Sequence, residues 1–249
     1  MNPDPPPRFL VLDFDGVICN ADGECELVTW LGRYPPDPLL PIVSYLNVMD
    51  PGFAARFRHV RGYARLLEHF MVAHDPDAGL IQTRADFRQA FESIPDGQVA
   101  AFTEAADAAR RQLRDEQPGC WLGLQPLYRG VAQALARSAV PVAVATARDA
   151  ASACAVLEHH GLCGTVTQVA GECRDKAGFV RDLCERHGIE PADVAFADDS
   201  IDNVLAVAAT GARAYWAMWG HHVPEDLAIA REAGITRIEP AELAWLAGS

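Results

Sequence analysis

The residues Phe9–Leu12 form a short apolar run without helical spacing, which is typical of a strand buried inside a parallel sheet. The run ends at Asp13-Phe14-Asp15-Gly16. Open α/β sheets keep their ligand crevice at the carboxyl ends of the strands, so carboxylates at this position mark a candidate site. Gly16 gives the backbone freedom that lets Asp15 turn away from the direction of Asp13. By itself, an Asp-x-Asp-Gly sequence also fits an ordinary turn after a strand.

From Leu124 onward, the sequence alternates between apolar runs and segments with helical spacing. The predicted strands cover 141–146, 165–170, 194–197 and 212–217, and the predicted helices cover 127–138, 150–160, 175–187 and 202–209. Alternation at these lengths predicts helices that connect parallel strands. The predicted fold class is therefore α/β, with a Rossmann-like, doubly wound parallel sheet that also contains the strand at 9–13.

Residues 20–121 differ from the rest of the chain, since they show helical spacing and no strand signal. Apolar residues at 53, 57, 60, 64, 67 and 71 predict one helix of about five turns. Thr83 is typical of a helix N-cap, and an alanine-rich helix is predicted at 98–117. We predict a core domain of residues 1–19 and 122–249, interrupted by an all-helical domain of residues 20–121.

The composition argues against several classes of function. A net charge of −13 disfavours binding to the phosphate backbone of nucleic acids. No run approaches the roughly 18 apolar residues of a membrane span. The start, MNPDPPP, lacks the basic and apolar regions of a signal peptide and is predicted to be a disordered tail. The seven cysteines include no CxxC pair, which favours reduced thiols. We expect a cytoplasmic protein that binds neither nucleic acid nor membrane, and its oligomeric state stays open.

Polar residues stand at or just after the ends of four predicted strands. They are Asp13 with Asp15, Thr146, Lys176, and Asp198 with Asp199. Each has an ordinary explanation when taken singly. The threonine fits a helix cap, the lysine a solvated first helical turn, and the last aspartate pair an N-cap cluster. Their joint order is much harder to explain in this way.

The order and local sequence of these residues resemble the haloacid dehalogenase superfamily. The matching motifs are DFDGV at 13–17, VAVAT at 142–146, Lys176, and FADDSIDN at 196–203. The segment 191–220 is similar to the phosphatase and β-phosphoglucomutase branch of that superfamily. The resemblance implies a Rossmann-like core with an inserted α-helical cap. It also implies a Mg²⁺-dependent phosphatase that acts on a small phosphorylated metabolite.

The resemblance further implies a role for each motif residue. Asp13 would be the nucleophile that forms an aspartyl-phosphate, and Asp15 would serve as general acid and base. Thr146 and Lys176 would bind the phosphoryl oxygens. The residues that would hold Mg²⁺ are Asp13, Asp15, Asp198 and Asp199. The dehalogenases and phosphonatases of the superfamily lack the second acid of the first motif, so Asp15 favours phosphate esters as substrates.

Two alignments of the fourth motif stay open. In the preferred one, Asp199 is the main metal ligand, and Asn203 stands where many members have a second aspartate. In the other, Asp198 is the main ligand, and Asp202 supplies the second carboxylate.

The His221-His222 pair is another possible metal site in the sequence. We expect these histidines to be loop or surface residues, because the side chains of adjacent residues point apart and the aspartates offer a harder oxygen site.

Candidate substrate-binding residues lie in the loop after the second predicted strand, in the third motif and in the helical domain. They are Thr146, Ala147, Arg148, Lys176, Arg61 and Arg65. Gly62-Tyr63-Ala64-Arg65 has the letters of the Gly-x-x-Arg element of phosphomutases, but its place inside a predicted helix weakens the match. The alternatives to a phosphatase are therefore a phosphomutase and a non-catalytic ligand-binding member of the fold.

Overall fold

A computed structural model describes residues 6–37 and 40–247, and the chain divides into two compact units. We call Ala21–Gln125 the helical unit, and the two flanking segments, up to Asn20 and from Pro126, the core unit. Most of the predicted disordered tail, residues 1–5, lies outside the described residues. Within the described ranges, no helix combines the length and the hydrophobicity that a membrane crossing requires.

In the described part of the helical unit, every regular element is a helix. The α-helices are α1 (Asp22–Arg33), α2 (Pro51–Val60), α3 (Arg84–Glu92), α4 (Asp96–Glu116) and α5 (Pro118–Gly123). The 3₁₀ segments are Ile42–Asn47, Leu67–His74 and Pro76–Leu80. Helices α1 and α4 approach closely at Gly32, where an added β-carbon would lie 2.7 Å from the ring of Phe102. The N-cap predicted at Thr83 is confirmed, because this residue and Asp86 form a capping box at the start of α3.

The prediction of one continuous helix through residues 53–71 is wrong. Helix α2 ends at Val60, a turn follows at 61–63, and Leu67–His74 is a 3₁₀ segment. The apolar spacing persists across the break because turns and 3₁₀ segments also repeat about every three residues. Gly62 lies in this turn, and glycine costs about 1 kcal/mol relative to alanine inside a helix.

A buried carboxylate joins three helical segments of the helical unit. Glu24 of α1 is fully buried, and its Oε1 accepts hydrogen bonds from Arg110 Nε at 2.8 Å and Trp121 Nε1 at 3.4 Å. Its Oε2 accepts a hydrogen bond from Gln125 Nε2 at 3.1 Å. Since a buried charge is tolerated only where it is paired and hydrogen-bonded, these contacts tie α1 to α4, α5 and the end of the unit.

Glu24→Ala is expected to lower the free energy of unfolding by about 3–5 kcal/mol, because it leaves a partly buried arginine and two amide or indole donors without their acceptor. Urea titration followed by circular dichroism measures the change. The control is Glu104→Ala on the exposed side of α4, which we expect to shift the free energy by about 0.5 kcal/mol or less. Equal effects of the two substitutions would contradict the role of Glu24.

His74 is a neutral side chain within an aromatic cluster of the helical unit. Its ring stacks on Phe53 with centroids 4.8 Å apart, and Phe102 meets it edge-on at 5.9 Å. Its Nε2 lies 2.8 Å from the carbonyl oxygen of Thr29, which requires a proton on that nitrogen. Burial lowers the pKa of His74 from 6.5 to about 4, although the bond to Thr29 acts in the opposite direction.

Acidification is expected to destabilise the protein through His74. Between pH 6.5 and 4 the unfolded histidine binds a proton that the folded one does not, so stability falls as the pH falls through this window. The loss in the free energy of unfolding reaches about 3 kcal/mol below pH 4 and is absent above pH 6.5. Thermal unfolding of the wild type and of His74→Phe at several pH values isolates this contribution. Parallel pH profiles for the two proteins would contradict the assignment.

The core unit is built on a six-stranded parallel sheet, which confirms the predicted α/β fold class. The strands are β1 (Phe9–Leu12), β2 (Val142–Ala145), β3 (Gln168–Ala170), β4 (Val194–Asp198), β5 (Arg213–Ala217) and β6 (Thr236–Ile238). Their order is β3-β2-β1-β4-β5-β6, and every neighbouring pair runs parallel. Strand β1 is central, so its carboxyl end adjoins those of β2 and β4.

Helices alternate with these strands along the chain. They are α6 (Val131–Ala136), α7 (Ala150–His159), α8 (Lys176–His187), α9 (Ile201–Ala208), α10 (Pro224–Glu232) and α11 (Leu243–Leu246). Helix α6 is shorter than the predicted helix at 127–138, because the left-handed Gly130, with φ 89°, immediately precedes it. Strands β1, β2 and β4 are buried along their whole length, as expected where helices cover both faces of a parallel sheet.

Candidate active site

Asp13 follows the last residue of β1, and two groups hold its carboxylate. The amide of Phe14 donates to Oδ1 at 2.7 Å, and Lys176 Nζ lies 2.8 Å from the same oxygen. The side chain is nearly buried. Among the described residues these contacts leave Oδ2 without a hydrogen-bond donor.

Asp198 ends strand β4 and is anchored on both oxygens. The amide of Ser200 donates to Oδ1 at 2.8 Å, while Oδ2 lies 2.7 Å from Lys176 Nζ and accepts a bond from Asn203 Nδ2 at 3.1 Å. Asp199 points its Oδ2 at the amide of His221, 2.7 Å away. The structure thus brings both aspartates of the fourth motif into the site and places Asn203 on Asp198.

Lys176, the only lysine in the chain, bridges the two strand ends. It is the first residue of α8, and its ammonium lies between Asp13 and Asp198. Burial opposes its charge, but the two carboxylates outweigh burial and raise the pKa of Lys176 above its ordinary value. The lysine is therefore charged at neutral pH.

The pKa of Asp13 is raised well above its ordinary value. The main cause is burial, which Lys176 offsets in part, and the carboxylates of Asp198 and Asp199 raise the pKa further. Oxygens from Asp13, Asp198 and Asp199 all lie within 4.8 Å of one another. Three crowded carboxylates beside one ammonium leave an excess of negative charge, and hard oxygen donors in this arrangement fit a divalent cation such as Mg²⁺.

Asp15 lies outside this group of three carboxylates. Its carboxylate forms a two-point ion pair with Arg148, with Nη2 at 2.8 Å from Oδ1 and Nε at 3.1 Å from Oδ2. The left-handed Gly16, with φ 86°, turns the chain just after Asp15. The Asp15 side chain contacts an arginine and is the most exposed carboxylate of the site, and Asp15 as a metal ligand stays a prediction.

The loop after β2 carries Thr146, Ala147 and Arg148, and it is held by backbone bonds. The amide of Thr146 donates to Ala170 O at 2.9 Å, and its carbonyl accepts from Cys173 N at 2.8 Å. The Thr146 hydroxyl oxygen accepts a hydrogen bond from the amide of Arg148 at 3.1 Å. The threonine is buried and the arginine side chain nearly so, which fixes both beside the end of β1.

The remaining predicted substrate-binding residues, Arg61 and Arg65, belong to the helical unit. Arg61 pairs with Asp22 at 3.1 Å and lies 5.2 Å from the ring centre of Phe70. Arg65 follows the turn after α2, and its amide donates to His69 Nδ1 at 3.1 Å. Gly62–Arg65 is not helical, so a helical conformation does not argue against its match to the Gly-x-x-Arg element of phosphomutases.

Two features of the site were missed at the level of the sequence. Arg148 pairs with Asp15, which is 133 positions away in the sequence, so no local sequence pattern predicts this contact. The segment Trp219-Gly220-His221 also reaches the site, through the His221 amide on Asp199. For Lys176, by contrast, a stronger signal was present, because a lone lysine among twenty arginines is an unusual choice of cation.

The core unit is an α/β fold whose strand ends bring a buried aspartate, a lysine and an acidic pair into one site. The chain belongs to the haloacid dehalogenase-like hydrolase family, whose model matches residues 7–211. This match confirms the resemblance noted from the four motifs. A comparison with curated proteins found no match.

Solved structures of similar fold cover nearly the whole chain. A haloacid dehalogenase-like hydrolase family protein from Streptococcus pneumoniae is 14% identical, with a TM-score of 0.63 over 95% of this chain and 96% of that one. A predicted phosphoglycolate phosphatase from Haemophilus somnus is 16% identical, with a TM-score of 0.60 over 95% and 96%. A predicted phosphatase from Clostridium acetobutylicum is 14% identical, with a TM-score of 0.58 over 96% and 97%. At these identities the likeness shows the fold.

Proposed function

We propose that this protein is a Mg²⁺-dependent phosphatase that hydrolyses a small phosphorylated metabolite through an aspartyl-phosphate on Asp13. One observation carries the proposal. Lys176 bridges Asp13 and Asp198, and a second acid, Asp15, stands two residues beyond the nucleophile. A nucleophile, a proton donor and a fixed cation are the parts that phosphoryl transfer requires.

In the first step, Oδ2 of Asp13 attacks the phosphorus, and the bond from phosphorus to the leaving alkoxide breaks. Asp15 gives the alkoxide its proton. In the second step, water attacks the aspartyl-phosphate, Asp15 takes a proton from that water, and phosphate leaves as Asp13 is regenerated. The Thr146 hydroxyl and the Lys176 ammonium bind phosphoryl oxygens.

The residues that would hold Mg²⁺ are Asp13, Asp198 and Asp199. The ion supplies positive charge for the phosphoryl oxygens and offsets the repulsion between the carboxylates and an anionic substrate. Lys176 supplies one permanent positive charge at the same place. Lys176 therefore partly neutralises the negative charge of Asp13 and Asp198, and the three aspartates supply oxygen ligands for a divalent ion.

The helical unit is proposed to act as a lid that selects the substrate. The protein is proposed to act in the cytoplasm. Its candidate substrate-binding residues are Arg61 and Arg65, and those of the core unit are Thr146, Ala147, Arg148 and Lys176. Arginines suit a second anionic group on the substrate, since the guanidinium binds carboxylate or phosphate at two points. The preferred substrate class is thus a small phosphomonoester with a further negative charge.

The test is a panel of phosphorylated metabolites, scored by released phosphate with Mg²⁺ and with excess EDTA. We expect Mg²⁺-dependent release from at least one small phosphomonoester and no release in EDTA. A sugar 1-phosphate converted to its isomer without free phosphate would favour the phosphomutase alternative, for which the non-helical Gly62–Arg65 segment is the supporting observation. No turnover of the panel, of p-nitrophenyl phosphate or of acetyl phosphate would refute catalysis and favour a ligand-binding role.

A further inference from the structure

Asp199 is held in place by hydrogen bonds from residues 17 and 22 positions further along the chain. Its backbone carbonyl accepts a hydrogen bond from Trp216 Nε1 at 2.8 Å, and Trp216 is fully buried. Its Oδ2 accepts the bond from the amide of His221 at 2.7 Å. Both donors belong to strand β5 or to the loop that follows it.

Two glycines leave room for this carboxylate. A β-carbon on Gly220 would lie 2.3 Å from Asp199 Cβ, 2.4 Å from Gly16 O and 2.6 Å from Asp199 Oδ2. A β-carbon on Gly16 would lie 2.0 Å from the same Oδ2. The Asp199 side chain therefore occupies a slot whose walls are the backbones of the loops after β1 and β5.

An indole fastens these two loops to each other. Trp219 Nε1 donates to Val17 O at 3.0 Å, which ties the residue before Gly220 to the residue after Gly16. The Asp199 side chain is thus enclosed by three consecutive residues: Trp219 hydrogen-bonds to the loop after β1, the backbone of Gly220 packs against the side chain, and the amide of His221 donates to it. This side chain carries one of the three carboxylates that cluster within 4.8 Å.

We propose that Trp219-Gly220-His221 is a positioning segment that sets the affinity of the site for a divalent cation. It acts by fixing the Asp199 carboxylate against Asp13 and Asp198. The inference rests on the proposed function, because it concerns the cation that the phosphatase would use. Groups that orient a metal ligand without touching the metal typically change metal affinity when altered, by about 10- to 100-fold.

Gly220→Ala tests this inference, since Gly220 has no positive φ and alanine can adopt its backbone conformation, whereas Gly16 has a positive φ. The added methyl group pushes against Asp199 Cβ and the Gly16 backbone, which are not flexible side-chain ends. The matched control is Gly164→Ala in the same unit, where an added β-carbon meets nothing within 4 Å and φ is again not positive.

The single lysine offers a direct readout of cation binding. Protein labelled with ¹³Cε-lysine gives one side-chain NMR signal from within the site, because Lys176 is the only lysine. Titration of this signal with MgCl₂ gives the dissociation constant without any substrate. In a parallel assay, phosphate release gives the Mg²⁺ concentration for half-maximal rate, the substrate KM and kcat at saturating Mg²⁺.

We expect Gly220→Ala to weaken Mg²⁺ binding about 10-fold or more, while Gly164→Ala stays within about twofold of the wild type. The substrate KM at saturating Mg²⁺ should change little, so the defect is confined to the cation. A Gly220→Ala protein that binds Mg²⁺ like the wild type would overturn the inference.

A milder variant keeps the inference testable if Gly220→Ala fails to fold. Trp219→Phe removes only the indole donor to Val17 O, and we expect it to weaken Mg²⁺ binding about threefold. An unchanged dissociation constant for this folded variant would overturn the inference. A wild-type lysine signal that ignores MgCl₂ would also overturn it, whereas phosphate release with and without EDTA decides the proposed function separately.

Discussion

Asp13→Asn is expected to lower the rate of phosphate release by about 10⁴-fold or more, because an amide oxygen cannot form the phosphoryl-enzyme intermediate. The fold should survive the change. The amide keeps the size of the carboxylate and removes a charge that burial and two neighbouring carboxylates disfavour. Single-turnover measurements on the preferred substrate, together with the melting temperature in EDTA, give both quantities.

Asp202→Asn is the matched control for this change. Asp202 is exposed and lies in the first turn of α9, whereas its neighbour Asn203 contacts Asp198. We expect its rate to stay within about threefold of the wild type, since surface substitutions away from a site have small effects. A near-normal rate for Asp13→Asn would overturn the nucleophile assignment. A large loss for Asp202→Asn would return support to the alignment that places Asp202 in the site.

The sheet was predictable because its central strands have both faces buried. Strands such as β1 and β4 therefore appear as uninterrupted apolar runs that end in aspartates. The edge strand β6 was missed, since Thr236-Arg237-Ile238 has two exposed residues out of three and so carries no such signal. Hydrophobic sequence patterns reveal strands that are buried along their whole length, whereas a short edge strand such as β6 is largely exposed and lacks such a pattern.

The helical unit shows the limit of periodicity as evidence. Val60, Ala64 and Met71 are all buried, as the spacing predicted, yet they lie on a helix, after a turn and in a 3₁₀ segment. Burial follows from the tertiary packing, which several local conformations satisfy. The break at Gly62 is encoded in the sequence, but its cost is too small to decide the outcome without knowledge of the packing.

The site divides in the same way. The strand-end residues Asp13, Lys176 and Asp198 could be predicted because parallel strands bring their carboxyl ends to one edge. The partner of Asp15 could not, since the geometry of two loops brings Arg148 to it. The slot around Asp199 depends equally on contacts between loops, and in the sequence Gly220 is one of nineteen glycines.

Lys176→Met is expected to reduce the rate of phosphate release by about 10³-fold or more, since it removes the fixed cation beside the nucleophile and the phosphoryl oxygens. It should also lower the free energy of unfolding in EDTA by about 3–5 kcal/mol, because Asp13 and Asp198 are left as buried carboxylates without their partner. Arg174→Ala, at an exposed residue two positions before α8, is the control and should affect neither quantity.

The charge of Lys176 itself contributes a constant stability between pH 6 and 9, so any pH dependence of the loss in Lys176→Met within this range comes from the buried carboxylate of Asp13, whose pKa rises further without the ammonium. A lysine whose folded pKa is raised contributes stability that is fully present below its unfolded pKa, here 10.5, and that is lost only as the pH rises further. Urea titrations at several pH values test this, and added MgCl₂ should restore part of the loss by supplying charge to the carboxylates. A loss of only a few-fold in rate, with unchanged stability, would show that Lys176 is not the cation on which the site depends.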